Sequence, residues 1–221
     1  MKKAIVFIFI LTLGINLAMV AQTKPTGSKM TKFVIHTDYG DMKGFLYNET
    51  PQHRDNFVKL AKSGFYDGLL FHRVIQGFMI QGGDPDSKNA KPGQALGAGG
   101  PAKTVPAEFN PKFIHKKGAL AAARQGDQVN PKKASSSCQF YIVQGQKMDP
   151  SQLDTRYPNK YNAAQKEVYK NIGGTPFLDG EYTVFGEITE GFDVLDKIAA
   201  IAKDAADRPM KDIKMTIKIV E

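Results

Sequence analysis

Beyond residue 31 the apolar positions fall into short runs of period two, separated by turn formers, which is the pattern of half-buried strands. Phe33-Val34-Ile35-His36-Thr37 and Gly44-Phe45-Leu46-Tyr47 flank Asp38-Tyr39-Gly40-Asp41-Met42, predicting a hairpin. Thr50-Pro51 then opens a helix: Thr50 can cap the free N–H groups and Pro51 suits the first helical position. Phe57, Leu60 and Ala61 recur at helical spacing, and Gly64 is placed to end the helix in the left-handed conformation. Strands follow through Gln81, then a long Gly-, Pro- and Ala-rich loop over 82–103. Extended structure resumes at Ala107-Glu108-Phe109 and over 119–123, with 125–134 polar and loop-like. The period-two pattern is interrupted over 147–175 by Pro150, Pro158 and a helical stretch, 161–172, stopped by Gly173-Gly174. There Ala164, Val168 and Ile172 lie four apart and predict one apolar stripe, expected to pack back onto the main body. A helix around 192–201 and a strand in which Ile213, Met215, Ile217 and Ile219 alternate close the chain, and no internal repeat is present. Many short strands, few helices and a returning last strand are compatible with a closed barrel, which removes sheet edges.

The N-terminus follows a different rule. Lys2 and Lys3 precede an apolar run over 4–20 that ends at Ala21-Gln22, the pattern of a secretory signal peptide. The expected organisation is therefore a signal peptide over 1–21, a Pro-, Gly- and Ser-containing tether over 22–31, and one domain over 32–221 with an insertion at 147–175. Export, most simply to a periplasm, follows from that leader; an uncleaved membrane anchor is the rival, weakened by Gly14 and Asn16. The formal charge of +8 includes both leader lysines, and the remaining excess is scattered, so it reads as solubilising surface charge and not as a nucleic-acid stripe. Trp is absent, leaving Tyr and Phe to supply aromatic packing. Cys138, the single cysteine, can form no internal disulfide and sits in an apolar context that suits a buried, inert thiol.

The chemistry concentrates in Phe71-His72-Arg73-Val74-Ile75-Gln76-Gly77-Phe78-Met79-Ile80-Gln81-Gly82-Gly83-Asp84. Alternate residues of a strand face one way. Phe71, Arg73 and Ile75 would then share a face and, after a turn at Gly77, Met79 and Gln81 would share the next. Arg73 and Gln81 can meet across paired strands, with Met79 beside them; Phe78 joins only if the backbone is irregular near Gly77. This places a fixed cation beside an apolar hollow without a nucleophile. The Ser135-Ser136-Ser137 run lacks a nucleophile elbow. His36, His53 and His115 form no ligand motif, so no metal or cofactor is expected. The loop glycines are not followed by Gly-Lys-Ser/Thr, which excludes a P-loop.

That run resembles the signature of the cyclophilins, the cyclosporin-binding peptidyl-prolyl cis-trans isomerases. The resemblance continues in order through Gly118-Ala119-Leu120-Ala121-Ala122-Ala123-Arg124, Ser135-Ser136-Ser137-Cys138-Gln139-Phe140-Tyr141-Ile142 and Phe177-Leu178-Asp179-Gly180-Glu181-Tyr182-Thr183-Val184-Phe185-Gly186. It implies a mainly β fold: an eight-stranded antiparallel closed barrel capped by two helices, here with an inserted helical segment, and a ligand groove on the barrel's outer surface. It implies Arg73 and Gln81 as catalytic residues, Gln81 holding the guanidinium. Phe78, Met79, Tyr141 and Leu178 would form the proline-ring pocket. Ala123, Arg124 and Gln125 would hold the peptide through their backbone, and Gln139 would line the groove. Phe177 and Tyr182 would complete the substrate-binding set; Phe177 stands where many members have tryptophan, Tyr182 where many have histidine, and Tyr141 where phenylalanine is common, and the extra hydroxyl of Tyr141 needs a partner.

The expected function is acceleration of X–Pro rotation during folding of exported proteins. The partners would be unfolded or flexible proline-containing polypeptides, not nucleic acid, and the chain would act as a monomer without stable membrane insertion after signal cleavage. Isomerisation transfers no proton, so His72 reads as structural. Two rivals are a non-catalytic proline-peptide binding or chaperone module and a scaffold docking a partner through 147–175.

Overall fold

The computed structural model describes residues 30–220; the expected signal peptide and nearly all of the tether lie outside them. Strands β1 (Thr31–Thr37) and β2 (Gly40–Leu46) form the first hairpin, tighter than expected, with only Asp38-Tyr39 between them. Helix α1 (Pro51–Lys62) follows, then β3 (Phe71–Ile75), β4 (Met79–Gly82), β5 (Thr104–Val105), β6 (Ala119–Ala122), β7 (Ser135–Ser136) and β8 (Phe140–Val143). The interrupted region holds two helices, α2 (Pro150–Arg156) and α3 (Ala163–Asn171); the chain ends in β9 (Val184–Glu190), α4 (Phe192–Ala199) and β10 (Met215–Val220). The Ala107-Glu108-Phe109 segment, expected to be extended strand, is irregular; the strand lies just before it, as β5.

Eight strands form one antiparallel sheet in the order β10-β1-β2-β9-β6-β8-β4-β3, and β5 pairs with β7 separately. The ladder does not join β3 to β10, so the fold is mainly β with an open, curved sheet where a fully closed barrel was expected. Backbone bonds Gly68 N–H to Met215 O, Met215 N–H to Leu69 O and Phe71 N–H to Ile213 O cross the seam where the two end strands begin.

Both faces of the sheet are covered, which explains the near-continuous apolar runs of β6 and β8. Leu120, Ala122, Phe140, Ile142 and Ile80 point into the main core, where Phe57 of α1 meets Phe33, Phe140 and Phe185. Ala119, Ala121, Tyr141, Val143 and Met79 alternate with them and form a second cluster on the outer face. Helix α1 lies against β9 and β10, and α4 against β2, β3 and β4.

Two helix ends show how local signals were met. Gly64 takes φ 71°, with Gly64 N–H bonded to Ala61 O and Phe65 N–H to Leu60 O, the paired bonds of a Schellman stop. Thr50, by contrast, makes no capping bond and its buried hydroxyl has no partner among the described residues. The Glu108 carboxylate caps α1 instead, accepting from the N–H groups of Gln52 (3.1 Å) and His53 (3.0 Å). An anion there is favoured by the helix dipole as well.

The 147–175 insertion builds its own small core from Leu153, Tyr161, Tyr169 and Ile114, with Met148, Tyr157 and Val168 around it. The predicted stripe is not its buried face: Ala164 and Ile172 are exposed, and Tyr169, one position after Val168, is the buried residue of α3. Tyr169 wins because its hydroxyl finds a buried acceptor in Asp179.

Candidate active site

The β3–β4 hairpin sets the site. Arg73 and Gln81 are register partners, as the alternation predicted. The register shifts between Phe71 and Arg73, and this irregularity at His72 corrects the expected face. Phe71 turns into the main core with Val74, whereas Ile75 packs against the outer cluster and Arg73 is left partly exposed. Gly77, at φ 79°, occupies the position of the connecting turn that requires positive φ, and Phe78 N–H bonds back to Ile75 O. Phe78 thus lies in the turn, free of strand alternation, and reaches the same side as Met79.

A hollow of about 140 Å³ is lined by Arg73, Phe78, Met79, Gln81, Ala123, Arg124, Tyr141, Leu178 and Tyr182. Through Gln81, Ala123 and Arg124 it continues into a larger hollow of about 500 Å³, which Gln125 and Gln139 line. Phe177 lines neither; it stands 53% exposed at the rim with its ring 5.5 Å from that of Phe78.

The polar groups are arranged differently from the expected clamp. Gln81 does not bond the guanidinium: its Nε2 donates to Gln139 Oε1 at 3.1 Å. Gln139 in turn donates to Gly97 O and Gly99 O, at 3.0 and 2.8 Å, fixing the glycine-rich loop that walls the larger hollow. Arg73 is paired through Nε with Asp207 Oδ2 at 3.5 Å. Asp207 also accepts Val74 N–H on its main-chain oxygen at 2.9 Å, so the loop before β10 is docked onto β3. Asp207 adopts φ 64°, a conformation that Asp and Asn tolerate better than most residues. No sequence signal pointed to it, because a single aspartate more than a hundred residues away has no local pattern.

The expected peptide-holding segment is divided. Ala123 has its N–H bonded to Gln139 O and its C=O to Ser136 N–H. Arg124 sends Nε to Glu181 O at 2.8 Å and pairs with Asp127, and its guanidinium lies 4.5 Å from the Tyr182 ring centroid. Its side chain is only 5% exposed, so it braces the two loops together and forms the wall between the hollows.

Matched as a family, residues 32–219 fit the description "Cyclophilin type peptidyl-prolyl cis-trans isomerase/CLD". The chain belongs to the cyclophilin-type isomerases. A Staphylococcus saprophyticus protein named for peptidyl-prolyl cis-trans isomerase activity is 37% identical over 195 residues, covering 86% of this chain and 92% of its own. The crystal structure of a Cryptosporidium parvum cyclophilin-type isomerase matches with a TM-score of 0.64 at 27% identity, over 87% of this chain and 98% of that one. A second structure, of the same Cryptosporidium protein in the presence of the dipeptide Ala-Pro, matches with a TM-score of 0.62 at 26% identity, over 86% and 99%.

The cyclophilin also holds a Ser–His–Glu chain that the sequence did not suggest. His53 Nδ1 lies 2.6 Å from Glu108 Oε2, and His53 Nε2 lies 2.9 Å from Ser135 Oγ. Burial pushes the His53 pKa down, against the pull of Glu108, so the ring is neutral and Nε2 accepts from the serine. Glu108 is pushed up by burial, but the bonds from His53 and Gln52 outweigh this and hold it low. With Ser135 1% and His53 3% exposed, no substrate reaches this hydroxyl. The chain ties α1 to β7 and to the segment carrying Glu108. Cys138 is 2% exposed and its thiol pKa is raised, chiefly by burial, as an inert thiol requires. Among the described residues no helix is long and apolar enough to cross a membrane, and no three His, Cys, Asp or Glu side chains cluster as metal ligands.

Proposed function

We propose that the 140 Å³ hollow grips a proline ring while Arg73 stabilises the twisted X–Pro amide. Rotation breaks amide resonance, at a barrier of about 18–20 kcal/mol. At the twist the nitrogen becomes pyramidal and gains a lone pair. A cationic donor aimed there interacts only with the transition state, which is the condition for raising the rate. No bond is broken, so no nucleophile, metal or cofactor is needed. Phe78, Met79, Leu178 and Tyr141 supply the apolar surface, and Asp207 holds Arg73 by one edge, leaving the other edge of its planar fork for the ligand.

The observation that carries this reading is the register pairing of Arg73 with Gln81 at the lip of an apolar hollow. Arg124, whose main-chain N–H and C=O have no partner among the described residues, is the proposed backbone contact for an extended peptide. The proline-containing segments would belong to unfolded or flexible chains. Supported by the basic-then-apolar leader pattern over 1–21, the clients are exported proteins and the enzyme works outside the cytoplasm, most simply in a periplasm, as a monomer. The seam bonds near Ile213 would complete the barrel in solution. The test is isomerisation of proline peptides by the mature chain. Peptide binding without turnover would favour the non-catalytic module.

A further inference from the structure

The hydroxyl of Tyr141 has a partner, and that partner leads out of the site. His115 Nε2 lies 3.0 Å from Tyr141 Oη. His115 Nδ1 lies 2.7 Å from Asp179 Oδ1, which also accepts the His115 main-chain N–H at 2.7 Å. The other carboxylate oxygen of Asp179 accepts from Tyr161 at 2.8 Å and from Tyr169. Lys160 Nζ donates to the Asp179 main-chain oxygen at 2.8 Å. His115 and Tyr169 are fully buried, and Tyr141, Asp179 and Tyr161 nearly so.

The donor directions follow from the chemistry. An ionised carboxylate only accepts, so His115 Nδ1 carries the proton toward Asp179, and Tyr161 and Tyr169 donate. Burial pushes His115 down and Tyr141 up, so the imidazole and phenol are both neutral. His115 Nε2 is therefore an acceptor, and Tyr141 donates to it. Every bond in the chain fixes the next one. Tyr161 and Tyr169 belong to the insertion, just before and within α3; Tyr141 is a wall of the ring hollow.

We infer that the 147–175 insertion buttresses the ring hollow: Tyr161 and Tyr169 hold Asp179, Asp179 fixes the tautomer and tilt of His115, and His115 holds the Tyr141 ring in place by its hydroxyl. His115 and Asp179 are positioning residues that touch no substrate. The insertion thus tunes proline grip through the Tyr141 hydroxyl, which gives it a role apart from docking a partner. This rests on the assignment of the hollow as the proline site.

The test is a cycle in kcat/KM for proline peptides, combining Tyr161→Phe with Tyr169→Phe in two backgrounds, native and Tyr141→Phe. Phenylalanine keeps the packing and removes only the donors. In the native background the pair is expected to lower kcat/KM by roughly three- to tenfold, as the loss of about one net hydrogen bond would. The loss should appear in KM, because a looser hollow weakens ground and transition states alike. In the Tyr141→Phe background, whatever its own activity, the same pair should change kcat/KM by less than about twofold, because the chain is already cut. Equal losses in both backgrounds, or none in the native one, overturn the inference. A purely structural role would lower thermal stability while leaving KM of the folded enzyme unchanged. If the paired variant does not fold, Tyr161→Phe alone carries the cycle. The side-chain 15N shift of His115 Nε2 supplies a readout independent of turnover. It should move in the insertion variants, and a shift unchanged from the native protein overturns the link even if the native chain proves inactive.

Discussion

Replacing Asp207 by Asn tests how Arg73 is held. Asn keeps the shape and the tolerance for φ 64°, so the loop is not strained, but it removes the charge facing Arg73. At 3.5 Å, with the side chains 40% and 27% exposed, the pair is largely solvated. A water-like dielectric gives ~1 kcal/mol at that separation, and exposed pairs measure about 0.2–1 kcal/mol. Asp207 also pairs with Lys203, so with two such pairs lost stability should fall by no more than about 2 kcal/mol. If the ~1 kcal/mol of the Arg73 pair serves to orient the guanidinium, kcat/KM falls by up to about fivefold. Salt separates this from general damage. Native activity should drop by a similar factor between about 0.05 and 1 M salt as the pair is screened, while Asp207→Asn should be nearly flat. The assay is a protease-free proline-isomerisation readout at each ionic strength, with chemical unfolding alongside. Unchanged kcat/KM together with an unchanged salt profile in Asp207→Asn would refute the positioning role. A loss far above tenfold would mean that Asp207 does more than orient Arg73.

Other regions give equally specific expectations. Burial lowers the pKa of His72 from 6.5 to about 4, so the unfolded chain binds the extra proton first as pH falls; stability is full above about 6.5 and lost toward pH 4. At about 1.4 kcal/mol per unit this one group removes roughly 3 kcal/mol, read by urea unfolding from pH 7.5 to 4.5, and His72→Gln should flatten the slope. Glu108→Ala removes the α1 cap and the anchor of His53, and should cost about 1–3 kcal/mol in unfolding free energy while leaving kcat/KM of the folded enzyme within about twofold; a large activity loss would contradict the separation of that chain from the site. Gly145→Ala puts a Cβ 2.4 Å from the Gly174 Cα at φ 63°, and should cost more than about 2 kcal/mol, seen as a lower Tm.

Much of this fold could be read from the chain because its signals are local. The β1–β2 hairpin, the Pro51 start and Gly64 stop of α1, and the alternation through Met215 and Ile217 depend on residues within a few positions of one another. The Arg73–Gln81 pairing was legible for the same reason: one turn at Gly77 fixes it. What misled the reading was one irregularity at His72, which turns Phe71 inward, and helix α3, where a buried acceptor for Tyr169 outweighed the spacing of Ala164, Val168 and Ile172. Partnerships across the sequence were not legible. Glu108 capping α1 in place of Thr50, Asp207 pairing with Arg73, Gln139 taking Gln81, and Asp179 gathering His115, Tyr161 and Tyr169 all depend on chain returns that no short pattern encodes. Family resemblance located the hollow's residues; only the structure showed which of them touch and which merely brace.

The most direct measurement is isomerisation of proline peptides by the purified protein beside Arg73→Ala and Arg73→Lys, with circular dichroism establishing equal folding. Arg73 as the transition-state donor predicts an active native enzyme and a loss of about 10²–10³ in kcat/KM for alanine, with lysine only partly restoring it because the planar fork is gone. A folded alanine variant within a few-fold of native activity, or a folded native chain inactive across several residues before proline, would contradict it.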